Sequence, residues 1–182
     1  MPRVAAIVGS LAVLAGCGGG GGGGDDVLAQ GETGVVEYTK TTKAGTPGDP
    51  TTLAVTVTDV RRGTKEELTK GGLELDEDNS DSTPYYIDSR FENRGQNAVP
   101  RNISLMLEGS DEKSLPGTLF LNYGDKPYKP CPDKSKGTLK PGESFETCTL
   151  VLVPAGEEAE TVLLTSQKAN SEIVFTRWDA SE

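Results

Sequence analysis

The sequence predicts an all-β fold, an antiparallel β-sandwich of about seven to eight strands. Three observations carry this. Apolar and polar residues alternate with period 2 in many short stretches. Those stretches are separated by Pro, Gly, Asp and Asn. No segment carries the apolar stripe of an amphipathic helix.

In chain order, residues 18–33 are polar and low in complexity, so they read as a spacer. A first strand is expected at Val35–Thr39, and residues 40–51 are rich in turn formers. Leu53–Val60 alternates, with Leu53, Val55 and Val57 on one face. Thr64–Lys70 is worth one or two helical turns at most, because it lacks an apolar stripe. Tyr85–Asn93 is the cleanest strand: Tyr85, Ile87 and Phe91 share one face, and Tyr86, Asp88, Arg90 and Glu92 the other. Asn93-Arg94-Gly95-Gln96 makes the next turn. Ile103, Leu105 and Leu107 mark another strand, and Leu119–Tyr123 a short one. Phe145–Val153 is apolar on both faces over part of its length, which predicts a central strand covered on both sides. Thr161–Thr165 and Glu172–Trp178 close the domain, with Trp178, the only Trp, expected in the core.

Composition excludes several function classes. The 182 residues hold 18 Lys+Arg and 28 Asp+Glu, a formal net charge of −10. Such a surface is a poor match to phosphates, so no nucleic-acid partner is expected. An anionic bilayer would repel it too. There is no His, which removes the commonest general base and a common zinc ligand. No nucleophile or cofactor motif appears either, so the domain is expected to be non-enzymatic and to carry no cofactor.

The N-terminus explains how an acidic chain could stay at a membrane. Arg3 precedes an uncharged stretch from Val4 to Gly16, which has the length of a signal h-region and is too short to span a bilayer. Leu14-Ala15-Gly16-Cys17 then resembles the bacterial lipobox. That resemblance implies cleavage after Gly16 and a diacylglyceryl group on the Cys17 sulfur. Loss of Arg3 takes the net charge from −10 to −11. More than one acyl chain holds firmly, whereas a single chain binds only marginally. The expected organisation is a signal at 1–16, a lipidated Cys17 with a flexible Gly-rich spacer over 17–33, and one sandwich domain over 34–182. The expected location is the extracytoplasmic face of the cell membrane.

Three segments carry a second resemblance. They are Leu53-Ala54-Val55-Thr56-Val57-Thr58-Asp59-Val60, the run from Tyr85 to Gly95 with its Phe91-Glu92-Asn93-Arg94-Gly95, and Leu139-Lys140-Pro141-Gly142-Glu143-Ser144 leading into a strand that ends at Val153-Pro154. Across about residues 52–178 the chain is similar to the uncharacterised immunoglobulin-like domain found on lipoproteins of Gram-positive bacteria. The resemblance implies an immunoglobulin-like sandwich. It implies no reaction and transfers no functional residue. An acidic insert before Tyr85 and a cysteine pair depart from that pattern.

Setting Cys17 aside leaves Cys131 and Cys148, an even remainder that reads as one disulfide in an exported protein. Two candidate sites remain. The loop 74–82 is acidic, and Asp76, Asp78 and Asp81 are its natural calcium ligands, although the Gly and terminal Glu of a 12-residue calcium loop are missing. The plainer alternative is a solvated loop. Tyr86, on the polar face of its strand, is the exposed aromatic expected to meet a partner, with Tyr123 and Tyr128 as possible companions. The expected function is therefore a membrane-anchored module that binds a protein or cell-envelope partner. Binding of calcium or a small ligand through the acidic loop is the alternative, and a hydrolase with paired carboxylates is the third reading.

Overall fold

The computed structural model describes residues 26–39, 48–109, 128–132 and 134–181. The signal, Cys17, the tract Gly18–Gly24, the strand expected at Leu119–Tyr123 and Tyr123 itself lie outside the described residues.

The fold is an all-β sandwich. The strands in chain order are β1 (Val27–Leu28), β2 (Thr33–Tyr38), β3 (Thr51–Arg62), β4 (Thr83–Asn93), β5 (Val99–Pro100), β6 (Leu105–Glu108), β7 (Thr138–Leu139), β8 (Ser144–Val153), β9 (Thr161–Gln167) and β10 (Ile173–Asp179). One sheet has the order β1-β10-β9-β6, the other β2-β3-β4-β8, and β5-β7 is a small separate ribbon. Among the described residues every pairing is antiparallel except β1 with β10, which is parallel.

The alternation seen in sequence decides the inner faces. Val55, Ile87, Phe91, Leu105, Leu107, Val151, Leu164 and Trp178 meet between the sheets. The Phe91 and Phe145 rings stack with centroids 5.2 Å apart. Trp178 is fully buried, and its indole N–H donates to the Glu32 carbonyl at 3.0 Å. A buried indole needs such a partner, and one from beside β2 ties the two sheets together. On the outer face of the first sheet Arg177 Nε donates to Glu108 Oε2 at 2.7 Å, and Thr161 donates to the same oxygen.

Two expectations change, and the short helix is met. The sandwich begins near Val27 rather than at residue 34, because β1 adds to the free side of β10 before the chain turns into β2. Residues 65–70 form the expected short helix, α1 (Lys65–Lys70), with a single apolar residue. Its start is fixed by a capping box: Thr64 Oγ1 accepts from the Glu67 N–H, and Glu67 Oε2 accepts from the Thr64 N–H. Leu68 is then its single buried anchor. Finally, β8 ends its sheet among the described residues instead of lying within it. It is apolar on both faces because the outer face is also covered.

That cover is a second, smaller core. Leu68 and Leu73 from the α1 segment, Tyr128 and Cys131 from a later loop, and Tyr86, Leu150 and Leu152 from β4 and β8 pack together outside the second sheet. The Cys131–Cys148 disulfide fastens the later loop to β8.

Candidate functional site

The outer face of the second sheet is divided in two. One half lies under the small core and the other is open.

Tyr86 marks the covered half. The period-2 reading placed it correctly on the outer face but expected that face to meet solvent. Instead Tyr86 is 1% exposed. Segments remote in sequence fold back over it, so it cannot serve as an exposed partner anchor. Its hydroxyl lies 2.8 Å from that of Tyr128, and the Arg61 guanidinium sits 3.8 Å above its ring. Burial, then the bond to Tyr128, pushes the Tyr86 phenol well above its usual range. It is a neutral packing group at any ordinary pH. Tyr128 also donates to the Glu67 carbonyl at 3.3 Å, tying the loop to α1. Gly71 is required beneath it, since a Cβ there would run into the Tyr128 ring.

The open half holds a groove of about 460 Å³ lined by Thr58, Asp59, Asp88, Lys134, Glu146 and Cys148. A register shift between Val57 and Asp59 sets Asp59 opposite Asp88. Bulges re-aim side chains in this way. Like charges directly across a ladder repel. Burial, and next the Asp59 carboxylate, raise the Asp88 carboxyl above its ordinary value, while Arg61 acts in the opposite direction. Sequence reading missed this pairing. Strict alternation puts Asp59 on the inner face with Leu53, Val55 and Val57, and the bulge that turns it outward to meet Asp88 leaves no local pattern.

Two carboxylates of the acidic loop have partners within the protein. Asp76 Oδ1 accepts from the backbone N–H and the side-chain amide of Asn79, capping a 3₁₀ turn over Glu77–Asn79. Asp81 pairs with Lys65 at 3.2 Å on an exposed surface. The Asp78 side chain lies outside the described residues. Among the described residues, no three His, Cys, Asp or Glu side chains gather as a metal ion would need. Likewise, no helix is long and apolar enough to cross a membrane.

No known family model matches the chain. No curated protein matches it either. Among solved structures it is similar to MPT63, a secreted protein from Mycobacterium tuberculosis. The identity is 14%, the match covers 86% of this chain and 99% of that one, and the TM-score is 0.50. At that identity the likeness is one of fold: both chains build the same β-sandwich.

Proposed function

We propose that this is an exported lipoprotein whose β-sandwich works outside the cytoplasm as a non-catalytic module binding a protein or other cell-envelope component. The observation that carries the reading is Leu14-Ala15-Gly16-Cys17 at the end of an uncharged stretch of signal length. The pairing of Cys131 with Cys148 supports it, since Cys17 is then the one cysteine left for acylation. A disulfide suits an oxidising compartment, and the structurally similar mycobacterial protein is itself secreted. Against catalysis stand the absence of His and the internal engagement of Asp76 and Asp81.

Mass spectrometry of the mature N-terminus from membranes tests the anchor. The expected result is an N-terminal Cys17 carrying a diacylglyceryl mass, with Cys17→Ser released from the membrane fraction. An unmodified Cys17 thiol in mature protein would overturn it.

A further inference from the structure

Strand β10 keeps a short open lane on the side away from β9. The Lys168 N–H donates to the Glu172 carbonyl at 2.9 Å, one step before the Ile173–Gln167 pair. Main-chain groups of an antiparallel pair alternate in direction. Val174, Thr176 and Trp178 therefore bond towards β9, while Ile173, Phe175 and Arg177 turn their N–H and C=O groups away from it. β1 meets that outer side at Arg177 and Trp178. Among the described residues no strand lies beside Ile173–Thr176 there. The open run is about 13 Å long at ~3.3 Å per residue.

The lane is apolar along its length and acidic at its ends. Ile173, Phe175 and Val27 are three of the four large apolar side chains exposed among the described residues. They share the outer face of the sheet, since Val27 stands opposite Arg177, two residues beyond Phe175. The Arg177 guanidinium lies 5.6 Å from the Phe175 ring and is held by Glu108. Asp26, exposed, precedes Val27 at one end. At the other end Glu37 accepts from the Ala169 N–H, and Glu172 pairs with Lys168. Beyond the Arg177–Glu108 pair, these three carboxylates are set against the single cation of Lys168.

We propose that β10 takes up an extended segment of a partner protein, added as a strand at Ile173–Thr176, with apolar side chains over Ile173 and Phe175 and Lys or Arg at its ends. This names the partner class for the binding module read above and rests on that reading. Strand addition draws affinity from main-chain bonds and selectivity from alternate side chains. Ile173 and Phe175 offer both, and the flanking carboxylates select a cationic segment. A second copy of this chain fits badly. Pairing Ile173 with Phe175 of the other copy brings each Glu172 beside the other Asp26, where like charges repel. Pairing Phe175 with Phe175 needs the main chain of Arg177, which β1 occupies.

The test uses the isotope-labelled mature protein and capped peptides of alternating Val and Thr, flanked either by Lys or by Glu. Amide exchange is read by NMR. The Ile173 and Phe175 N–H groups are expected to exchange fast in the free protein. The Lys-flanked peptide is expected to slow both several-fold, and the Glu-flanked peptide far less. Methylating every second amide on the peptide edge that faces β10 is expected to abolish the slowing. Ile173→Thr with Phe175→Thr, both at exposed positions, is expected to weaken binding several-fold. No slowing, or equal slowing by the Glu-flanked or methylated peptide, would overturn the lane. Cross-linking of the intact lipoprotein in its own envelope, mapped by mass spectrometry, separates the lane from the module. A partner joined only at sites remote from β10 would overturn the lane alone. No partner joined anywhere would overturn the module reading, and this proposal with it.

Discussion

Asn93 is wholly buried, and a buried amide is tolerable only when its donors and acceptor are all engaged. Its side chain donates to the Asn97 and Leu139 carbonyls at 2.8 and 3.1 Å, and accepts from Thr51 Oγ1 and the Gly95 N–H at 2.8 and 3.0 Å. One residue thereby joins the end of β4 to the start of β3 and to β7. Gly95 must be Gly, because a Cβ would meet Thr51 and the Thr52 backbone. Asn93→Ala strands several buried partners at once, so a loss of about 2–4 kcal/mol is expected in urea unfolding. A loss under 1 kcal/mol would refute this account of the corner. Asp88 is a contrasting case. Folding raises its pKa through burial and the opposed Asp59, so the folded chain holds this proton more tightly than the unfolded one. Stability from this group is greatest below the ordinary Asp range and falls as pH rises through the raised value. Asp88→Asn removes the penalty. The variant is expected to melt above the parent at neutral pH, with the gap closing as pH falls into the Asp range; a gap that does not change with pH would contradict this.

At the scale of elements, what the sequence revealed depended on how local each cause was. The inner faces of β3, β4 and β8 were legible because period 2 depends only on neighbouring residues. The corner was legible too, through Asn93-Arg94-Gly95. The cover over Tyr86 was not, because it comes from residues 68–73 and 128–131, whose meeting is tertiary. A faint signal did exist. Leu150 and Leu152 gave β8 a second apolar face, and Thr64 with Glu67 at capping-box spacing marks where the short α1 begins. The disulfide spans this second core and touches the first only through β8. Its loss is therefore expected to open one layer rather than the molecule. In Cys131→Ser with Cys148→Ser, hydrogen exchange is expected to quicken at Leu68 and Leu73 while Leu105 and Leu164 stay protected. The stability loss expected from chain entropy is about 3 kcal/mol for a loop of this length. Uniform loss of protection in both sheets would show that the two cores are one cooperative unit.

For the whole molecule, the decisive difference lies at the boundary between spacer and domain. Composition placed that boundary at residue 34, because residues 18–33 are polar and carry no periodic run. The fold needs residues 27–32 all the same. Leu28 packs against the main core, Gln30 bonds to Val60 and Ser181, and the Glu32 carbonyl holds the Trp178 indole. None of these contacts leaves a pattern in a short segment, since each is made with a partner far along the chain. β1 also covers part of β10, the strand that presents Ile173 and Phe175 at 58% and 50% exposure. A chain starting at Gly34 would leave the Trp178 N–H without its acceptor and lengthen an apolar edge. Compared with a chain starting at Asp26, it is expected to lose about 2–4 kcal/mol in urea unfolding, from the lost Leu28 packing and the orphaned indole. It is also expected to associate as concentration rises, which sedimentation velocity would register. If the two chains proved equally stable and equally monomeric, β1 would be an ornament of the spacer.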